Sequence, residues 1–330
     1  MSEKPNFEKI LLGHGSGGLL TNDLLDKGVF KVLANEILDE HHDGAVLPLD
    51  GNIAFSTDSF VVSPIIFPGG NIGDLAVNGT VNDLAMCGAV PEYLSLGFIL
   101  EEGLSLEEFW QVLQTIRNAC DVAGVKIVTG DTKVVERGKG DKIFINTTGL
   151  GTVSDKARIG VQYIRPGDKV ILSGSIANHG MAIMSIREGL QFETEIRSDT
   201  RPLHTMILEL IDRYDHGIRF LRDPTRGGVA TVLTEIAKTA SIGIEIEEEV
   251  LPVRPQVDSA CEMLGLDPIY VANEGIFVCI ADAGVADDIV MMIRTHMGGD
   301  EAVIIGEVTE AHSGQVVMNT AIGGRRVVNM

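Results

Sequence analysis

Val125-Lys126-Ile127-Val128-Thr129-Gly130-Asp131-Thr132-Lys133-Val134-Val135 is the stretch from which the rest of the chain can be read. Val125 to Thr129 is a short apolar run bounded by glycine, and it reads as a strand. It ends on Gly130-Asp131-Thr132-Lys133, which puts a carboxylate at a strand end. Lys133 lies two residues further on, and so on the same face of extended chain. Upstream, Ser105 to Ala123 has the period of an amphipathic helix, with Ser105 as N-cap and Glu108 at the capping-box position. Downstream, Ile143 to Val153 reads as a further strand. A helix packed between strands in this way makes the N-terminal half an α/β unit.

Working outward, Leu19 to Ile37 has helical period, and Asn52 to Ser56 alternates as a strand that ends on Thr57-Asp58-Ser59. A helix follows Gly73, and Tyr93 to Leu100 is strand-like. In the second half, strands are expected at Lys169–Ser173, Gly243–Glu247, Ile276–Ala281, Ala302–Val308 and Gln315–Asn319. Helices are expected from Asp223-Pro224 to about Ala240, near Val257–Leu264, and at Val285–Thr295. The Asp223 N-cap and Pro224 at the first helical position are the start signals of the first of these. Ser154-Asp155-Lys156 and the turn Arg165-Pro166-Gly167-Asp168 break the pattern, so two domains are expected, over 1–158 and 159–330. Neither half shows regular βαβ alternation, which argues against a plain doubly wound sheet.

A chain of 330 residues that is 45% apolar can bury a core in each domain. Its formal charge of -21 at pH 7 disfavours nucleic acid and anionic membranes as partners. Four cysteines with no C-x-x-C pair read as reduced thiols of a reducing compartment. No apolar run is long enough to span a membrane, and the N-terminus lacks the pattern of a signal peptide. A cytoplasmic protein is expected.

Gly13, Gly15 and Gly18 satisfy the dinucleotide-binding spacing G-x-G-x-x-G, but the next strand is too far away for a compact βαβ unit. Gly13-His14-Gly15-Ser16-Gly17-Gly18 reads either as a surface turn or as a mobile loop whose N–H groups fold over phosphates. Asp58, Asp83 and Asp131 each stand in a polar patch beside an apolar segment. Hard carboxylate oxygens of this kind suit magnesium held together with phosphate. Asp74, Asn78 and Asn82, spaced i, i+4, i+8, form a polar stripe on an otherwise apolar helix, and we read it as facing the site rather than solvent. Asp223-Pro224-Thr225-Arg226-Gly227-Gly228 opens a helix with two glycines, which allows either close approach of an anion or a tight helix–sheet contact. Asn273-Glu274-Gly275 places one more carboxylate at a strand start, and Asn178-His179-Gly180 is a lesser candidate.

Taken together, these strings resemble the HypE family of hydrogenase maturation factors. So do Phe67-Pro68-Gly69-Gly70-Asn71-Ile72-Gly73, Gly97 to Gly103, Arg222 to Gly228 and Ala272 to Gly275. The resemblance runs in order along nearly the whole chain. It implies the two-domain α+β fold called PurM-like, with the N-terminal domain pairing sheet to sheet in a homodimer. It also implies an ATP-dependent dehydration. The carbamoyltransferase HypF would load a carboxamide onto a C-terminal cysteine, ATP would phosphorylate its oxygen, and loss of phosphate would leave a thiocyanate. The cyanide would then pass to the HypC–HypD complex.

The resemblance further implies site roles. Asp58, Asp83 and Asp131 would hold magnesium. Lys133, with Gly13, His14, Gly15, Ser16, Gly17 and Gly18, would contact phosphates. Asn82, Asp223, Arg226, Gly227 and Gly228 would help bind the nucleotide, and Glu274 would be the base. The family closes with Pro-Arg-Ile-Cys, whereas this sequence stops at Val327-Val328-Asn329-Met330. A missing tail is the expectation, so the chain as given should bind ATP without completing the dehydration. A selenophosphate synthetase is disfavoured because no cysteine precedes Cys87. A non-catalytic maturation scaffold and a dinucleotide dehydrogenase are the remaining alternatives.

Overall fold

A computed structural model describes residues 7–15, 19–40, 44–190 and 195–329. It divides into two units, Met1–Leu84 with Val90–Val153, and Ala85–Ala89 with Ser154–Met330. The first unit begins with two short helices, α1 (Leu19–Leu24) and α2 (Phe30–Leu33), joined by a π-turn. Strand β1 (Ile53–Phe60) and a two-residue ladder, β2 (Ile66–Phe67) with β3 (Gly70–Asn71), lead into helix α3 (Ile72–Met86). Strand β4 (Ala89–Glu101), helix α4 (Leu106–Ala123) and strands β5 (Lys126–Val135) and β6 (Ile143–Val153) complete it. The sheet order is β1-β6-β4-β5, antiparallel between β1 and β6 and parallel between β4 and β5.

The side chains explain these placements. Helix α4 buries Phe109, Val112, Leu113, Ile116 and Cys120 along one stripe. Gly124, left-handed at φ 69°, ends it by donating its N–H to the Cys120 carbonyl. Helix α3 has almost no solvent side, because Asn78, Thr80 and Asn82 are as buried as its leucines. Glycines let it close on its neighbours. A Cβ at Gly73 would stand 2.7 Å from the Val112 carbonyl, and one at Gly79 would stand 2.8 Å from the Phe60 ring. This tight packing carries Asp83 to β1.

The second unit contains β7 (Lys169–Leu172), α5 (Asn178–Arg187), α6 (His204–Tyr214), β8 (Ile218–Arg222), α7 (Gly228–Ala240) and β9 (Gly243–Glu247). After these come α8 (Pro255–Leu264), β10 (Val278–Ala281), α9 (Ala286–Ile293), β11 (Val303–Thr309), β12 (Val316–Asn319) and β13 (Arg325–Val328). The seven strands order as β13-β12-β9-β11-β7-β10-β8, and only β9 and β12 pair in parallel. Val170, Leu172, Val278 and Ile280 enter the core under α7, while Ile171, Cys279 and Ala281 enter the one under α6 and α9. The period of two therefore fills both faces, which is why these central strands read as unbroken apolar runs.

Several expectations from the sequence need correction. Helix α7 starts at Gly228 rather than at Asp223-Pro224. Gly227 and Gly228 are left-handed, at φ 71° and 62°, and a right-handed helix cannot run through them from Pro224. The run from Leu19 to Ile37 is not one helix. Asn35 ends it, with its Nδ2 donating to the Leu33 and Ile127 carbonyls and its Oδ1 accepting from Ile37 and Leu38. Ser105 does cap α4, accepting the Glu107 N–H at 3.2 Å, but Glu108 pairs with Lys142 at 2.6 Å instead of closing a capping box. Asp131 lies inside β5 rather than at its end, because pairing with β4 continues as far as Val135. Helices α5 and α6 and strands β8 and β13 were not anticipated.

Candidate active site

In the first unit, strand β1 turns Ala54, Ser56, Asp58 and Phe60 toward the protein and Phe55, Thr57 and Ser59 outward. Ser56 donates its hydroxyl to Asp83 Oδ2 at 2.7 Å, and Asp58 is the next residue on that face of β1. Asp58 Oδ1 accepts the Ser59 N–H at 2.7 Å. Asp58 and Asp83 therefore share a face formed by β1 and α3. Asp131 stands apart from them on β5, the opposite edge of the sheet. Two strands intervene, so with a strand spacing of about 4.8 Å the separation far exceeds the reach of one ion. Among the described residues, no group of three or more His, Cys, Asp or Glu gathers closely enough to hold a metal.

Asp131 has a different partner. Lys133 Nζ lies 2.9 Å from its Oδ1, with both side chains largely exposed. Gly15 packs its backbone against Val134 of the same strand so closely that a Cβ there would collide with the Val134 N–H. A cavity of about 210 Å³ is lined by Gly15, Asp131 and Lys133 together with apolar side chains such as Phe30, Leu96 and Phe98. It combines a charged wall with an apolar floor. His14 points inward and is 1% exposed. Its Nδ1 accepts the Leu11 N–H at 2.9 Å, its ring stacks on Phe7 at 4.3 Å, and burial lowers its pKa. Ser16, Gly17 and Gly18 lie outside the described residues.

The polar stripe of α3 does turn away from solvent. Asn78 and Asn82 are 4% and 1% exposed, and burial pushes the Asp74 carboxyl up to about 6. Asn82 is carried on the same helix as Asp83.

The second unit gathers a constellation around Asn273, which is fully buried. Its Oδ1 accepts the Ala177 N–H at 2.7 Å, and its Nδ2 donates to the carbonyls of Pro224 and Val271. One side chain thus ties together the connector Asp223-Pro224-Thr225, the loop bearing Glu274, and the start of α5 with Asn178 and His179. The glycines of α7 have a packing cause, since a Cβ on Gly228 would lie 2.5 Å from the Ile269 carbonyl. Arg226 sits in the turn just before this helix. Sequence reasoning missed Asp199, whose carboxylate accepts the N–H groups of Glu274 and Gly275. Ser198-Asp199-Thr200 has the composition of a side-chain-stabilised turn, which was the available signal.

The donor chemistry fits the implied groups in part. Asp58 and Asp83 are hard oxygen donors on one face, which matches the one or two carboxylates magnesium usually takes. Gly15, without a Cβ, lets its backbone close on β5 next to the residue that carries the Lys133 ammonium.

Two family models match the chain, the AIR synthase related protein N-terminal domain over residues 41–153 and its C-terminal domain over residues 165–319. The chain is 48% identical to the carbamoyl dehydratase HypE of Cupriavidus necator over 323 residues, covering 97% of this chain and 92% of that protein. It superposes on a solved structure of hydrogenase maturation protein HypE in complex with ATP with a TM-score of 0.94, at 45% identity over 97% of each chain. A HypE–HypF complex matches with a TM-score of 0.81 at 46% identity, covering 93% of this chain and 99% of the other.

Proposed function

The chain belongs to the HypE family of AIR synthase-related proteins, and from that premise we propose that it is an ATP-dependent carbamoyl dehydratase of hydrogenase maturation. Its substrate is a carboxamide carried on the thiol of a C-terminal cysteine, and its product is the thiocyanate. The overall change is RS–C(=O)NH2 + ATP → RS–C≡N + ADP + phosphate. An amide oxygen leaves only after it has become a phosphate ester, which is what ATP supplies.

Within the chain, the observation that carries this reading is the Lys133–Asp131 pair at 2.9 Å beside Gly15, on the wall of a cavity with an apolar floor. Lys133 offsets the charge that develops on the transferring phosphoryl oxygens, and Gly13 and Gly15 supply close-lying N–H groups. His14, buried and stacked on Phe7, anchors that loop and is assigned with it to the phosphates. Ser16, Gly17 and Gly18 are assigned to phosphate binding with them. Asp58 and Asp83 form the first magnesium locus, Asn82 supports Asp83 on its helix, and Asp131 serves a second locus. Magnesium would supply charge neutralisation on the phosphates. Asp223, Arg226, Gly227 and Gly228 are assigned to nucleotide binding, and Glu274 to removal of the amide proton. Domain limits of 1–158 and 159–330 go with this assignment of roles.

HypF is the proposed source of the carbamoyl group, and the HypC–HypD complex the acceptor of cyanide. We also assign a homodimer closed through the N-terminal sheet. Its support is the apolar surface exposed there, with Phe55 68% and Val61 67% exposed.

Mass spectrometry decides the reading. The chain is extended after Met330 by Pro-Arg-Ile-Cys, carbamoylated by its transferase and given magnesium and ATP. Loss of 18 Da (about one water) from the C-terminal peptide, with ADP formed, is the expected outcome. Glu274→Gln should slow that loss about 100- to 10,000-fold while leaving ATP binding intact. An unchanged carbamoyl peptide in the unsubstituted protein would refute the dehydratase reading.

A further inference from the structure

The segment Glu195 to Leu203 has no regular secondary structure, yet its side chains converge on the loop that bears Glu274. Asp199 Oδ2 accepts the Gly275 N–H at 2.9 Å and the Glu274 N–H at 3.2 Å, with Oδ1 at 3.3 Å from the latter. Arg201 then takes the other side of the loop, its Nε donating to the Gly275 carbonyl at 2.8 Å. Its Nη1 and Nη2 reach the carbonyls of Met297 and Gly298, each at 2.8 Å, so the guanidinium is itself fixed by a fork of three bonds. The two chains run in contact. A Cβ at Gly275 would collide with the Asp199 carbonyl, so only glycine fits there. The segment is anchored at its other end by Ser198, whose hydroxyl lies 2.8 Å from Nδ1 of the buried His179. From beneath, Asn273 pins the loop to Ala177 and Pro224.

These bonds go to the backbone of residues 273–275, with N–H groups held by a carboxylate and a carbonyl held by a guanidinium. Hydrogen bonds to charged groups are stronger than neutral ones, and together they restrict the φ and ψ angles on both sides of the Glu274 Cα. A general base must sit within a few tenths of an ångström of its productive position. A loop held from two sides by charged groups meets that demand better than one held by carbonyls alone.

We propose that Asp199 is a positioning residue for Glu274, holding the Glu274–Gly275 N–H groups so that the loop presents the Glu274 carboxylate in one conformation. The inference rests on the assignment of Glu274 as the base. Asp199 acts through Glu274 and does not touch the substrate, so its effect belongs in turnover rather than in nucleotide affinity. Its effect should also disappear when Glu274 can no longer act.

A double-substitution cycle on the extended, carbamoylated chain tests this, reading kcat for thiocyanate formation, KM for ATP and the pH–rate profile. Asp199→Ala should lower kcat about 10- to 100-fold with KM for ATP unchanged. Asp199→Asn keeps one acceptor oxygen and should recover most of that loss, and it also serves where Asp199→Ala folds poorly. In a Glu274→Gln background, adding Asp199→Asn or Asp199→Ala should cost nothing further. Full kcat in Asp199→Ala, or equal further losses with and without Glu274, would overturn the positioning role while leaving the base intact. Glu274→Gln at the full rate would instead remove the base assignment, and the positioning role with it.

Discussion

Asp74 shows what one buried carboxyl does in this protein. It sits in the first turn of α3, accepts the Asn71 N–H at 3.0 Å, and is pushed up to about 6 chiefly by burial, against the lowering effect of backbone N–H bonds. A carboxyl raised in the folded state binds its proton more tightly there than in the unfolded chain. The folded state therefore loses stability as pH rises from about 4 to 6, and the penalty is complete above that. A rise from 3.8 to about 6 corresponds to a penalty of at most about 3 kcal/mol. Asp74→Asn keeps an oxygen for the Asn71 N–H and carries no charge. It should raise stability at pH 7.5 by about 1–3 kcal/mol and flatten the dependence between pH 4 and 6. Urea denaturation at pH 4, 5, 6 and 7.5 reads both quantities. Equal stability of the two proteins at pH 7.5 would contradict the burial penalty.

Among the elements, α7 shows most clearly how local signals and tertiary packing compete. Asp223-Pro224 carries the composition of a helix start, but Gly227 and Gly228 are left-handed, and Gly228 is closed against the Ile269 and Val271 carbonyls. No sequence pattern encodes a contact with a strand connection forty residues away. Helix α4, by contrast, was legible almost to the residue, because its cap, apolar stripe and terminal glycine are all local. The candidate site divides in the same way. Asp131 and Lys133 could be placed on one face from strand geometry alone, whereas Asp199 acts on Glu274 across 75 positions of sequence. The separation of Asp58 from Asp131 depends on strand order, which the alternation of residues does not reveal. Gly228→Ala should cost about 3 kcal/mol or more, combining left-handed strain with the carbonyl contact. Gly265→Ala is the control, because Gly265 is also left-handed at φ 67° but faces open space, and it should cost only about 1 kcal/mol. Chemical denaturation compares them, and equal losses would mean that the close approach to Ile269 carries no weight.

At the scale of the whole molecule, the proposed function asks a protein of net charge -21 to bind a polyanion. Long-range attraction cannot help, so under the proposed assignment affinity would depend on groups close to the phosphates, namely the Lys133 ammonium, backbone N–H groups and the cation. The acids assigned beside them would sharpen this dependence. Without magnesium, Asp58, Asp83 and Asp131 would meet the phosphates as like charges, whereas with it they would become ligands or neutral neighbours. Ligand that binds only the folded state stabilises it by about 2.7 kcal/mol at a hundredfold excess over Kd. Magnesium with ATP should therefore raise the thermal midpoint of the chain by several degrees, and adding EDTA at constant ATP should abolish most of that rise. Asp83→Ala should lose the magnesium-dependent part, since it removes a carboxylate from the face shared with Asp58. Differential scanning fluorimetry measures all three states. A rise that survives EDTA in full would detach the three acids from metal binding and leave the nucleotide held by Lys133 and the glycine loop alone.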